Sequence, residues 1–117
     1  MEENKSFHDK LKIKMDCYAR YVYRLSSKFP KHEIYGLTSQ VRRSAISVVL
    51  NYIEGYARNN KKVDKNFLKI SYGSLKESQY VLYFAATEKY IMAEEYREAI
   101  KLSDEIGAML WSTMEKI

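Results

Sequence analysis

Apolar side chains recur along this chain in alternating steps of three and four, the spacing of one helical face and not the alternation of a strand. The first run is Leu11, Met15, Tyr18, Val22, Leu25 and Phe29. Pro30 closes it, because the residue before a proline is pushed out of helical geometry and the ring has no N–H to donate. Lys31 to Gly36 then reads as a turn. A second helix is predicted from Leu37 to about Arg58, with apolar residues over more than half its circumference. One stripe holds Val41, Ala45, Val48, Tyr52 and Tyr56, and a neighbouring stripe holds Ile46, Leu50, Ile53 and Ala57. A bundle helix needs one such stripe. The second, centred on Ile46, Leu50 and Ile53, is therefore read as an oligomer interface, with a broad contact inside the monomer as the competing account.

The rest of that helix collects Gln40, Arg43, Ser47, Asn51, Glu54 and Arg58 in one polar line, where Glu54 and Arg58 have the favourable acid-before-base spacing. Arg58 to Lys62 is a polar turn, after which Asn60 or Asp64 can cap a third helix that continues to about Tyr90. Phe67, Ser71, Ser74, Ser78 and Ala85 fall along one of its lines, so small side chains stand where a bundle ordinarily places leucines. They let two helix axes approach, with hydroxyls returned to backbone carbonyls and Leu75, Val81 and Leu82 supplying apolar burial. Glu94 and Glu95 open a fourth helix, at whose N-terminus negative charge is favoured. Its stripe is Tyr96, Ile100, Ser103, Ile106, Leu110 and Met114, with Trp111 beside it. The prediction is an all-α fold, an antiparallel up-down-up-down four-helix bundle formed by residues 1–117 as one domain.

Composition agrees with long helices, since 117 residues include one proline and four glycines. Eleven tyrosines suit half-buried positions at interfaces or stacking surfaces. No apolar run approaches the roughly 20 residues of a spanning helix, and Met-Glu-Glu-Asn-Lys has no apolar signal segment, so a cytoplasmic protein without a membrane partner is expected. Cys17 is the single cysteine and is expected to be a buried thiol acting as a small apolar residue.

Charge adds a functional expectation. Residues 1–60 carry eleven Lys and Arg against six Asp and Glu, while residues 61–117 carry nine of each. In an up-and-down bundle the start of the first helix shares an end with the turn between the second and third. Lys10, Lys12 and Lys14 are thereby brought beside Arg58, Lys61, Lys62 and Lys65. Such a pole attracts phosphates and releases their counterions, so these seven residues are the candidate nucleic-acid contacts; the plainer account is that the lysines keep the protein in solution. No catalytic or metal-binding pattern accompanies them. His8 and His32 are far apart, no Glu-x-x-His motif occurs, and Ser71-Tyr72-Gly73-Ser74-Leu75 lacks the paired glycines of a nucleophile elbow. Neither an enzyme nor a cofactor is expected.

Phe29-Pro30-Lys31, then Tyr35-Gly36-Leu37-Thr38-Ser39-Gln40-Val41-Arg42-Arg43-Ser44-Ala45, and then Ser47, Asn51, Glu54 and Gly55 form a pattern that resembles the bacterial four-helix bundle proteins encoded within 23S rRNA intervening sequences. The resemblance continues through Phe67, Gly73-Ser74-Leu75 and Glu77 to Glu94-Glu95-Tyr96. Where that family's second helix carries a Pro-Ser step, this chain has Val49 and Leu50. The resemblance implies a homo-oligomer, commonly a homopentamer around a channel. More distantly it implies similarity to accessory proteins of diversity-generating retroelements, which bind a reverse transcriptase and nucleic acid. Arg42, Arg43, Asn51, Glu54 and Glu77 belong to the matching pattern, and charged groups inside a bundle need partners. They are read as a structural polar network in which Glu77 pairs with an arginine of the second helix. Two functions are carried forward: a nucleic-acid-associated oligomer, and an adaptor that binds another protein through its apolar, tyrosine-rich faces.

Overall fold

The computed structural model describes residues 6–57 and 64–117. It contains four long helices, α1 (Phe7–Ser26), α2 (Leu37–Ala57), α3 (Lys65–Thr87) and α4 (Ala93–Glu115), with a short 3-10 turn at Lys31–Glu33. No strand occurs among the described residues. Each helix begins where a side chain satisfies backbone donors that lack an intrahelical partner. Ser6 Oγ accepts from Asp9 N at 3.0 Å, and Asp64 Oδ1 accepts from Asn66 N at 3.0 Å. Asp64 therefore caps α3, while the alternative cap, Asn60, lies outside the described residues. Glu95 Oε1 accepts from Met92 N at 2.9 Å, and its other oxygen takes the ammonium of Lys28 from the turn after α1. Lys28 and then the Met92 N–H hold the Glu95 carboxyl below the usual carboxylate range, so this carboxylate ties the start of α4 to the turn that follows α1.

Two helix ends fall short of the periodic pattern. α1 stops at Ser26, although Phe29 still packs into the core from the following turn. α3 stops at Thr87, short of Tyr90, because Lys89 adopts a left-handed φ of 63° and the Tyr90 N–H returns to Ala85 O at 2.8 Å. α2 is helical through Val49 and Leu50. Cys17 corrects the expectation of a buried thiol. It is exposed, because the seam of Leu11, Met15, Tyr18 and Val22 turns position 17 toward solvent.

Neighbouring helices are antiparallel all the way round. His8 of α1 meets Tyr52 near the end of α2, while Arg42 near the start of α2 meets Ser26 at the end of α1. Between α2 and α3, Gln40 pairs with Glu77 and Ser47 with Ser74. Gln79 to Ser103 and Tyr72 to Trp111 join α3 to α4, and Lys14 to Glu105 and Tyr21 to Glu98 join α4 back to α1. Every helix thus touches two neighbours and faces the fourth across the diagonal.

Small residues draw α2 and α3 together as their spacing predicts. Ser71 is fully buried and donates its hydroxyl across the interface to Val48 O at 2.7 Å. Gly55 lies at the same crossing, where an added Cβ would stand 3.3 Å from both Asp64 O and Phe67 Cβ. Ser78 and Ser103 are also fully buried, and each donates to a carbonyl of its own helix, Leu75 O at 2.7 Å and Ile100 O at 3.0 Å. Their oxygens remain free to accept. Tyr18 Oη therefore donates to Ser78 Oγ at 2.7 Å across the α1–α3 diagonal, and Gln79 Nε2 donates to Ser103 Oγ at 2.6 Å. No buried side-chain nitrogen or oxygen among the described residues lacks a partner, as a core of this polarity requires.

Candidate nucleic-acid interface

The antiparallel order collects the start of α1, the start of α3 and the end of α4 at one end of the molecule. Phe7 and Lys116 mark the junction, with Lys116 Nζ 5.9 Å from the Phe7 ring centre. His8 is anchored at this end by Tyr52, whose Oη lies 2.6 Å from His8 Nδ1, and by a tilted ring contact with Tyr56, centroids 4.1 Å apart. Burial, aided by Lys12 and opposed by Asp9, holds the imidazole below its ordinary pKa, and burial pushes the Tyr52 phenol well above its own. The start of α1 is thereby pinned to α2.

The seven cations expected to contact phosphates do not all remain available. Lys14 bonds Glu105 of α4 at 3.0 Å, and Lys12 lies 4.0 Å from Asp9 on its own helix. Lys12 meets Asp9 at the i,i+3 spacing of a single helix, whereas Lys14 reaches Glu105 only because α4 packs against α1. Arg58, Lys61 and Lys62 lie outside the described residues. Lys10 and Lys65 are exposed and form no ion pair among the described residues. Three further exposed lysines were missed: Lys69 and Lys76 on α3, and Lys116 at the end of α4. A signal for two of them was present, since Lys65, Lys69 and Lys76 recur at steps of four and seven and so share one helix line.

The proposed polar network divides in two, and its central pairing is corrected. Arg42 does not reach Glu77. Its Nε donates to Ser26 Oγ at 2.7 Å, its Nη2 to Ser27 Oγ at 3.4 Å, and its guanidinium lies 4.9 Å from the Tyr23 ring centre. Glu77 instead accepts from Gln40 Nε2 at 3.3 Å. Positions 40 and 42 are about 200° apart on a helix, so one faces α3 and the other α1. Asn51 donates to Ser47 O and Oγ at 2.9 and 2.8 Å. Glu54 is half-buried, and Arg43 is exposed without an ion pair among the described residues. Arg42 thus fastens α2 to the carbonyl-rich end of α1, where a cation is favourable. Arg42→Leu is expected to lower unfolding stability by about 1–2 kcal/mol, whereas Arg43→Ala changes it by less than about 0.5 kcal/mol. Urea unfolding curves of the two variants check this, and equal effects would refute the assignment.

The second apolar stripe of α2 remains open. Leu50 and Ile53 are 59% and 46% exposed. Ile46 is half-buried and lines a groove of about 440 Å³ between α1 and α2 with Asp16, Ala19, Arg20, Tyr23 and Arg24. No group of three or more His, Cys, Asp or Glu among the described residues could hold a metal ion, and none of their helices is long and apolar enough to cross a membrane.

Comparison with known proteins agrees with this architecture. The sequence model of a family described as 23S rRNA-intervening sequence protein matches residues 10–112. Among solved structures, the chain is similar to a protein of unknown function from the S23 ribosomal protein family of Bacteroides thetaiotaomicron. The two share 22% sequence identity and superpose with a TM-score of 0.84, over 94% of this chain and 99% of the other. No curated protein matches the chain.

Proposed function

The chain belongs to the 23S rRNA-intervening sequence protein family, and from that premise we propose that it is a non-enzymatic binding protein that engages nucleic-acid phosphates at its lysine-rich end. The observation that carries this reading is the set of exposed lysines without carboxylate partners among the described residues, Lys10, Lys65, Lys69 and Lys116, where α1 and α3 begin and α4 ends. The opposite end is mixed in charge: exposed Lys31 and Lys89 stand there among Glu33, Glu88 and Glu94, and Glu95 neutralises Lys28. Lysines of this sort bind phosphate as point charges, releasing counterions and reading no base sequence.

Four phosphate contacts on a single strand give a slope of about −3 for log affinity against log salt, an affinity loss of about 50-fold between 50 and 200 mM. Fluorescence anisotropy with a labelled RNA oligonucleotide measures this. Reversing Lys65 and Lys69 to Glu removes two attractions and adds two repulsions. At about 0.7 kcal/mol each in water once salt screens the charges, these total about 3 kcal/mol, or about 100-fold in affinity. Reversing Arg97 and Lys101, on the half of α4 nearer the other end, leaves affinity within about twofold. Binding that is absent at 50 mM salt, or indifferent to the Lys65 and Lys69 reversals, would overturn the reading.

A second reading concerns assembly. The exposure of Leu50 and Ile53 beside the α1–α2 groove supports self-association of the bundle through α2, with Ile46 at the edge of the contact. Both roles are compatible, because the apolar stripe lies on α2 and the exposed lysines on α1, α3 and the end of α4.

A further inference from the structure

The α3–α4 face carries an aromatic surface that phosphate contacts leave unused. Lys65, Lys69, Tyr72 and Lys76 follow one another at steps of four, three and four. At 100° per residue they lie within an arc of about 60° on α3 and extend about 16 Å along its axis. The three lysines are exposed and form no ion pair among the described residues. Lys76 Nζ stands 5.3 Å from the centre of the Tyr72 ring. Across the groove is Trp111, the only tryptophan of the chain and 52% exposed. Its ring centroid is 5.6 Å from that of Tyr72, with the planes at 51°, so the two rings form a corner. Gly107 and Ala108 of α4 leave the floor low, and the groove has a volume of about 530 Å³. Among the described residues nothing covers the exposed half of the indole.

We infer that this face is a track for single-stranded polynucleotide, with phosphates on the α3 lysines and a base stacked on Trp111 and Tyr72; the inference rests on the nucleic-acid reading above and specifies the strand state. Charge complementarity selects the occupant. A cation line beside aromatic rings is the combination that holds an unpaired strand, because each base offers a π-face while its phosphate needs a counter-charge about one side chain away. The α4 wall fixes the orientation. Asp104 and Glu115 line the same groove, so phosphates are repelled from its α4 wall and keep to the α3 side, which turns the bases toward Trp111. A duplex has its base faces already stacked and cannot use the corner.

The test uses the full chain with a 12-nucleotide oligo(U), a 12-nucleotide oligo(dT) and a 12-base-pair duplex at low salt. Two signals are read together: anisotropy of the labelled nucleic acid, and the intrinsic fluorescence of Trp111. Both single strands are expected to quench Trp111 on binding, while the duplex binds at least about tenfold more weakly and leaves the fluorescence unchanged. Trp111→Leu should weaken single-strand binding by about tenfold or more while its circular dichroism stays that of the parent chain. Anisotropy showing single-strand binding with no quenching, duplex quenching equal to that of the single strands, or a Trp111→Leu variant of unchanged affinity each overturns the track while leaving phosphate binding at the lysine-rich end intact. Quenching by an acidic peptide of equal length, as strong as that by oligo(U), also overturns it. Failure of all three nucleic acids to bind removes the parent reading and the track together.

Discussion

Replacing Tyr18 with alanine is expected to lower the stability of the bundle by about 3–5 kcal/mol, the cost of emptying a large aromatic site in a close-packed core. Tyr18 is fully buried at the centre of α1, and its ring is among the largest wholly enclosed side chains. Burial pushes its phenol far above the ordinary tyrosine pKa, despite the opposing hydrogen bond to Ser78, and since the Ser78 proton goes to Leu75 O the phenol is the donor in the bond between them. Tyr18→Phe separates the two contributions. It keeps the ring and removes only the bond to Ser78 Oγ, whose own proton is already given to Leu75 O. The expected loss is about 0.5–1.5 kcal/mol. Chemical denaturation of both variants, with unchanged denaturant dependence as the sign of an intact native state, decides the matter. A Phe variant as damaged as the Ala variant would place the stabilisation in the diagonal hydrogen bond and not in packing.

The second large effect concerns assembly. Charging Leu50 and Ile53 together, as Leu50→Glu with Ile53→Glu, is expected to weaken self-association by at least about 100-fold, because two carboxylates would be buried in each half of the contact without partners. The same pair of changes should alter the folding stability of a single chain by less than about 0.5 kcal/mol, since both side chains already stand about half in solvent. That contrast is diagnostic. Light scattering coupled to size exclusion, at concentrations around 10 µM, would show the parent chain as an oligomer and the double variant as a monomer. A monomeric parent, or a double variant that assembles as before, would dismiss the α2 stripe as an interface.

The sequence was a good guide to helices and a poor guide to side-chain partners. The stripe from Leu11 to Phe29 named α1 and its buried face because helical periodicity is a property of adjacent turns. The serine line of α3 announced a close helix contact, and Ser71 bonding Val48 O is that contact. Partner choice is different, because it depends on which neighbour each edge of a helix meets. Gln40 and Arg42 are two residues apart, yet one bonds Glu77 of α3 and the other Ser26 of α1. The expected Arg–Glu77 pair fails for that angular reason alone.

What the sequence by itself determined was the number of helices, their order and the faces they bury. All of these follow from local spacing and from the alternation of direction that short connections impose. Only the tertiary structure decided which lysines keep their charge free. Lys14 is neutralised by Glu105, 91 residues away, whereas Lys76 shares with Trp111 a groove that no stretch of chain contains alone, and Lys65 and Lys69 continue its line along α3 without an ion pair among the described residues. Charge pairing falls off over a few ångströms, and separation along the chain says nothing about it until the helices have packed.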